Sequence, residues 1–209
     1  MKKKINVETW NRKSQFYFFK QFEEPFFGVT VNVDCTIAYD IAKATNASFF
    51  LYYLHKSLAA ANQLEPFGYR IDNNEVIVYN KINASPTINR PDGTFGFSYM
   101  DYYEDFEVFA AEAQKEIERV QQTTGLVPAG SNENVIHYSS IPWINFTSLS
   151  HARQFSRGDS IPKISFGKMM TENDKRTMPL SIHVHHALMD GYDVAKYIDL
   201  FQQLMNESV

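Results

Sequence analysis

The 209-residue sequence contains one cysteine and carries no excess of positive charge. Cys35 cannot form an intrachain disulfide, and its apolar strand-like surroundings predict a buried small hydrophobe. The formal net charge of −4 gives no general attraction to nucleic acid or to an anionic membrane. No stretch has the length and apolarity of a membrane span, and Lys2–Lys4 is not followed by the apolar region of a signal peptide. We therefore expect a cytoplasmic protein without nucleic-acid or membrane partners.

Glycine-rich catalytic motifs are also missing. The sequence has neither a P-loop nor a G-x-G-x-x-G run, so it does not bind nucleotide phosphates in either standard way. It has no G-x-S-x-G elbow, which weakens a serine-hydrolase hypothesis. Aromatic residues, by contrast, are abundant, with 17 Phe and 12 Tyr. A core accounts for most of them, and the surplus suits an oligomer interface or a ligand tunnel.

Hydrophobic periodicity predicts strands and helices in irregular alternation, with no internal repeat or linker. Hairpin turns lie at Asp72–Asn74 and Arg90–Thr94, while Ser48 and Asp105 begin two amphipathic helices. The predicted helices are 9–16, 37–45, 48–62, 105–122 and 192–205, and the predicted strands are 27–34, 69–71, 76–79, 87–89, 95–100, 138–150, 163–170 and 177–186. We expect one α/β domain over residues 1–209, an α+β two-layer sandwich. Its mixed, largely antiparallel sheet carries helices packed on one side.

The segment His185–Gly191 is the main functional signal. It follows an alternating apolar run and precedes an amphipathic segment, so a strand delivers two adjacent histidines to a tight turn before a helix. Strand alternation predicts two sets of side chains on opposite faces, Leu180, Ile182, Val184 and His186 on one and Ser181, His183 and His185 on the other. One imidazole held at the mouth of a cleft suits a general base. Two hydrogen-bonded core histidines are the structural alternative.

Other residues near this motif allow more than one role. Asp190 could orient His186 as in a catalytic triad, or pair with an arginine such as Arg12. His183 and His185 share a face and could in principle ligate a metal, but no carboxylate or cysteine completes a zinc set, so we expect no metal. Ser148 could donate to an oxyanion or act as a nucleophile.

Taken together, these motifs resemble the chloramphenicol acetyltransferase family. His185–Gly191 resembles its active-site signature, and Trp10–Lys13 resembles its N-terminal Trp-x-Arg-basic motif. Pro142–Ser148 resembles its Pro-Trp-x-x-Phe-x-Ser strand. Lys168 and the later run Met178–Ile182 match its approach to the histidine strand. Length and motif order agree as well, so the likeness covers essentially the whole chain. Dihydrolipoyl acyltransferase cores and peptide-synthetase condensation domains share the histidine motif alone.

The resemblance implies a homotrimer with active sites between subunits and acetyl-CoA as co-substrate. It implies that His186 is the general base for the primary hydroxyl of chloramphenicol and that Ser148 donates a hydrogen bond to the oxyanion. It implies that Asp190 pairs with Arg12 as a structural element, not as a triad acid. Ser165 corresponds to a residue that helps to hold the intermediate through water.

The resemblance is weaker for the ligand-binding residues. Lys168 matches a lysine near the coenzyme. Phe18, Phe19 and Phe95 could line an aromatic acceptor pocket, and Val127 stands where the family has a pocket aromatic. These differences leave the acetyl-transfer residues in place and leave the acceptor open. A related O-acetyltransferase with another hydroxyl acceptor, or a catalytically silent ligand-binding homologue, are the alternatives.

Overall fold

The computed structural model describes residues 2–126, 133–153 and 158–207, which form ten strands and five α-helices. The strands are β1 (Lys2–Ile5), β2 (Phe26–Asp34), β3 (Tyr69–Asp72), β4 (Glu75–Tyr79), β5 (Asn83–Asn89), β6 (Phe95–Phe97), β7 (Val135–Ser140), β8 (Lys163–Phe166), β9 (Met170–Glu172) and β10 (Lys175–His185). The helices are α1 (Lys13–Phe19), α2 (Thr36–Ala44), α3 (Phe49–Asn62), α4 (Phe106–Gln121) and α5 (Gly191–Met205).

Strand β10 occupies the interior of a seven-stranded sheet in the order β2-β10-β8-β7-β5-β6, with β9 also paired to β10. Strands β5, β7 and β8 run parallel to one another, and the other pairs are antiparallel. Strands β1, β4 and β3 form a second, three-stranded sheet. The prediction of a mixed, largely antiparallel sheet is therefore confirmed.

One face of the large sheet is apolar and packs against helices. Leu180, Ile182 and Val184 are fully buried on β10 and belong to the same core as residues of α2, α3, α4 and α5. Helix α3 lies within this core, because its residues from Leu51 to Ala61 are all buried. The predicted packing of helices on one side of the sheet is confirmed.

The opposite face of the sheet is polar. Strand register aligns two rows of side chains on it, Thr30–Ser181–Ser165–Ser139 and Gly28–His183–Lys163–His137. The hydroxyl of Thr30 donates to that of Ser181 over 3.2 Å. The segment 141–153 leaves the end of β7 and contacts this face, since the His151 and His183 rings meet with centroids 4.9 Å apart. Two-period alternation thus separates an apolar core face from a hydrogen-bonding face.

The helix caps and hairpins follow the sequence closely. Ser48 and Asp105 accept hydrogen bonds from backbone amides three residues later, as expected of N-caps. Asn73 and Asn74 both adopt positive φ in the β3–β4 hairpin, which suits the left-handed conformation that asparagine tolerates.

Several predicted elements are wrong in their bounds. The strand predicted at 87–89 begins at Asn83, the one at 95–100 ends at Phe97, and the one at 163–170 ends at Phe166, with β9 following at Met170. The predicted strand 138–150 ends at Ser140, because Pro142 lacks an amide proton and Ile144 N donates back to Ile141 O in a turn. The predicted first helix 9–16 is replaced by a 3₁₀ turn at Val7–Thr9 and by α1. Strand β1 was not predicted, since its lysines give no alternating pattern and its pairing partner β4 is remote in sequence.

Candidate active site

His186 lies in the tight turn that follows β10. Its amide donates to the carbonyl of Pro25 over 2.8 Å, which attaches the turn to the start of β2. The Leu188 amide donates to the His185 carbonyl over 2.9 Å and closes the turn. These backbone hydrogen bonds hold the position from which the imidazole projects.

Two aromatic rings orient the His186 imidazole. Phe19 stacks on it, with centroids 3.9 Å apart and planes 13° from parallel, and Phe27 contacts it at 4.6 Å. The neighbouring His185 instead meets Phe26. Because Phe26 and Phe27 are successive residues of one strand, the two imidazoles lie on opposite sides, as predicted. His186 Nδ1 is buried and has no hydrogen-bond partner within the described part of the chain.

Asp190 and Arg12 form an ion pair beneath the turn. Arg12 Nη1 donates to Asp190 Oδ2 over 2.8 Å, and Nη2 lies 3.4 Å from the His186 carbonyl oxygen. Asp190 Oδ1 accepts from the Tyr192 amide at the N-terminus of α5. The hydrogen bond from Arg12 lowers the pKa of the Asp190 carboxyl. Both carboxylate oxygens thus have partners other than the imidazole, so this geometry gives no triad.

The two serines and Lys168 make no described contact with His186 within the single chain. Ser148 is exposed in the segment 141–153. Ser165 is fully buried on the polar face of β8, and its Oγ has no partner among the described residues. Lys168 is exposed beyond β8, and its amide donates to the Ile144 carbonyl over 2.8 Å. No hydrogen bond or ring contact in the described ranges joins either serine to His186.

The predicted acceptor-binding residues divide into two groups. Phe18 and Phe19 form a cluster with Phe22, with centroids 5.0–5.2 Å apart, and this cluster lies beside His186. Phe95 lies instead on β6, where it contacts Phe97. Val127 lies outside the described residues. The structure therefore brings Phe19, and through it Phe18, to the imidazole.

A cavity on the hydrogen-bonding face of the sheet contains residues that the sequence did not single out. A cavity of about 210 Å³ is lined by Glu24, Phe26, Gly28, Ser150, His151, Arg153, Lys163 and His183. A second cavity of about 290 Å³ shares His151 and Lys163 with it. The sequence singled out His183 of this lining, and Lys163, a charged residue at the start of an apolar strand, was a further available signal. His151 lies in an irregular segment, and hydrophobic periodicity cannot predict where a residue of such a segment is placed.

Neither a metal centre nor a membrane helix is found among the described residues. No group of three or more His, Cys, Asp and Glu side chains in ranges 2–126, 133–153 and 158–207 is arranged to hold a metal ion. None of the helices in those ranges combines the length and apolar character needed to cross a bilayer.

The fold is one that acyltransferases share. A dihydrolipoamide acetyltransferase structure from Azotobacter vinelandii matches 93% of this chain and 86% of its own with a TM-score of 0.68, and its 15% identity shows the fold alone. A chloramphenicol acetyltransferase structure matches far better, with a TM-score of 0.91, 30% identity and coverage of 98% of this chain and 100% of its own.

Sequence comparison leads to the family. The model of the chloramphenicol acetyltransferase family matches residues 2–202. Chloramphenicol acetyltransferase 3 of Escherichia coli is 28% identical, covering 99% of this chain and 98% of its own. A chloramphenicol acetyltransferase of Klebsiella sp. is 26% identical, covering 97% and 93%. The chain belongs to the chloramphenicol acetyltransferase family, and it is an acyltransferase.

Proposed function

We propose that the chain transfers the acetyl group of acetyl-CoA to the primary hydroxyl of chloramphenicol and so inactivates the antibiotic in the cytoplasm. The acetyl group and the acceptor in this proposal are taken from the names of the relatives. The observation in this chain that carries the proposal is the fixed His186 imidazole, stacked on Phe19 and supported from below by Arg12. A positioned imidazole is what general-base catalysis of hydroxyl attack requires.

The proposed reaction is a direct transfer without an acyl-enzyme. His186 accepts the hydroxyl proton while the acceptor oxygen attacks the thioester carbonyl. The resulting tetrahedral intermediate carries its negative charge on the former carbonyl oxygen. Collapse of the intermediate breaks the C–S bond, and the proton held by the imidazole passes to the departing thiolate. The products are the acetyl ester and the free thiol of CoA.

Further residues have proposed roles around this step. Ser148 donates a hydrogen bond to the oxyanion, since its hydroxyl is exposed and accessible to a ligand. Ser165, whose Oγ lacks a partner among the described residues, helps to hold the intermediate through water. Lys168 is exposed and suited to the phosphates of the coenzyme. Arg12 and Asp190 are positioning residues that hold the turn bearing His186.

The proposed assembly is a homotrimer with active sites between subunits. His186 contacts Phe27, whereas Ser165 lies on the opposite, polar face of the sheet. Residues on opposite faces of one sheet do not converge on one reacting centre. A neighbouring subunit that places its polar face against His186 would bring the base and the serines together.

The reaction is tested by thiol release from acetyl-CoA in the presence and absence of chloramphenicol. Drug-dependent release supports the proposed acceptor, and no release at millimolar drug contradicts it. His186→Ala and the size-matched His186→Gln should both abolish transfer while circular dichroism stays unchanged. Retained activity in either folded variant would remove the base assignment.

Mixed trimers test the location of the site. Subunits carrying His186→Ala are co-assembled with subunits carrying Ser148→Ala. If sites lie between subunits, some contain His186 from one kind of subunit and Ser148 from the other, and activity returns. If each site lies within one subunit, every site stays defective and the mixture is no more active than its parents.

A further inference from the structure

Two neighbouring cavities on the polar face of the sheet share lining residues, and we call them together the histidine cavity. It comprises the 210 Å³ and 290 Å³ cavities that share His151 and Lys163. His183 and Lys163 come from neighbouring positions of β10 and β8, and His151 comes from the segment that covers them. The lining also includes the hydroxyl-bearing residues Ser150, Ser85, Thr87 and Ser139, together with the aromatic residues Phe26, Phe97 and Tyr138.

The charged groups of the histidine cavity are already paired. Lys163 Nζ donates to Asp159 Oδ2 over 2.5 Å and to the Ile161 carbonyl over 3.1 Å. Arg153 forms an ion pair with Glu24. An anionic ligand would have to compete with these two carboxylates for the same cations. The paired charges therefore favour an uncharged ligand.

The imidazoles of the cavity are neutral near pH 7. Burial lowers the pKa of His151 to about 4, and the positive charge of Lys163 acts in the same direction. Burial also lowers the pKa of His183, where the hydrogen bond to Leu149 opposes it and Lys163 and Arg153 reinforce it. A neutral imidazole has one donor nitrogen and one acceptor nitrogen. Its nitrogens can therefore donate to a hydroxyl oxygen or accept from a hydroxyl hydrogen.

Hydrogen-bonding capacity in the cavity is left unused by the chain. His151 Nε2 and His183 Nδ1 are buried, and neither has a partner within the described residues. A buried polar atom without a partner destabilises the fold unless water or a ligand supplies the hydrogen bond. An apolar ligand would leave both nitrogens unpaired, whereas a ligand with several hydroxyls would satisfy them.

We propose that the histidine cavity binds an uncharged, hydroxyl-rich part of the acceptor, such as a sugar or cyclitol ring, through His151 and His183. The identification of this ligand as the acceptor rests on the proposed acetyl transfer, whereas its binding in the cavity does not. A site built to hydrogen-bond hydroxyls discriminates strongly against ligands that lack them.

Binding is tested by NMR of the histidine ring nitrogens in the full-length ¹⁵N-labelled protein without acetyl-CoA. The probes are myo-inositol and methyl glucoside for hydroxyl-rich ligands, nitrobenzene for apolar ligands and inorganic phosphate for anions. We expect saturable shifts of the His151 and His183 signals with a hydroxyl-rich probe and no protonation of either ring. His55, buried between Tyr102 and Phe109 and bonded to the Tyr103 carbonyl, is the internal control and should not shift.

Two other outcomes would overturn the proposal. Saturable shifts with nitrobenzene alone would show that the cavity binds apolar ligands. Protonation of the rings when phosphate is added would show that it binds anions. Absence of a saturable shift with every probe would equally contradict it.

A pair of variants at His183 separates hydrogen bonding from shape. His183→Gln keeps a donor and an acceptor, whereas His183→Leu removes both at similar volume. We expect the leucine variant to lose about tenfold or more in affinity for the hydroxyl-rich probe and the glutamine variant to stay within about threefold. If His183→Leu does not fold, His151→Leu replaces it, because His151 lies in the covering segment and outside the sheet. Equal binding by the folded leucine and glutamine variants would contradict the proposal.

The same experiments distinguish this proposal from the proposed reaction. If chloramphenicol is acetylated but no hydroxyl-rich probe binds, the cavity proposal alone is wrong. If the probe binds but no acceptor is acetylated, the cavity proposal stands and the proposed reaction is wrong.

Discussion

Phe19 stacks face to face on the His186 imidazole, with their centroids 3.9 Å apart. Phe19 is the last residue of α1, and His186 lies in the turn after β10. Helix α1 therefore contributes directly to the orientation of the candidate base. This contact, together with the Arg12 hydrogen bond, links the N-terminal segment to the chemistry at the other end of the chain.

Replacing Phe19 with leucine should slow acetyl transfer more than it destabilises the fold. An aromatic pair contributes roughly 0.5–1.5 kcal/mol, which corresponds to a fall of about 2-fold to 10-fold in kcat if the contact orients the base. Steady-state kinetics of Phe19→Leu measure the effect. Phe22→Leu is the matched control, because Phe22 is 43% exposed and was not predicted to line the acceptor pocket. A larger loss in Phe22→Leu would contradict an orienting role for Phe19.

Replacing Asp190 with asparagine should destabilise the protein through Arg12. Asparagine can still cap α5 but carries no charge to pair with Arg12, whose side chain is only 15% exposed. Because Asp190 itself is partly exposed, we expect a loss of about 1–2 kcal/mol, below that of a fully buried pair. Urea unfolding measures the change. The exposed pair of Lys13 and Glu8 provides the control, since Glu8→Gln should not change the free energy of unfolding. A fall in kcat with unchanged stability would argue for a triad role instead.

Ser148→Ala should lower kcat by roughly 10²–10³ with little change in KM, because an oxyanion donor acts mainly in the transition state. Thr147→Ala, at the preceding exposed position of the same segment, is the control and should keep near-normal turnover. Equal losses in the two variants would indicate a general disturbance of the segment and contradict the oxyanion role.

The free energy of unfolding should decrease as the pH falls below about 6.5. Burial lowers the pKa of His185 to about 4, with Arg153 acting in the same direction and Asp159 opposing it. The unfolded chain, with an ordinary histidine pKa near 6.5, then binds protons more readily than the folded chain. The stabilisation that comes from the lowered pKa of His185 is fully present above pH 6.5. It falls by roughly 1 kcal/mol per pH unit down to about pH 4. Urea unfolding at pH 7, 6, 5 and 4.5 measures the slope, and His185→Gln should reduce it. Equal slopes in the two proteins would contradict this prediction.

Local sequence patterns predicted most of the fold. Ser48 and Asp105 predicted two helix starts, and the alternation in β10 predicted which of its side chains enter the core. These features depend on residues within a few positions of one another, which is why a single sequence reveals them. The extent of one domain over residues 1–209 stays a prediction.

Contacts between remote segments needed the three-dimensional structure. The pairing of Arg12 with Asp190 spans 178 positions. Residue chemistry gave Arg12 as one candidate partner, and the resemblance to the family favoured the pairing over a triad. No pattern predicted that Phe19 would stack on His186 or that the segment after β7 would be irregular.

The sequence by itself determined the histidine turn, its place after a strand and the residues that identify the family. The tertiary structure decided what surrounds that turn, and it placed His151, His183 and Lys163 together on the opposite face of the sheet. The physical reason is strand register. Side chains from strands that are distant in sequence become neighbours only when the hydrogen bonds between those strands align them.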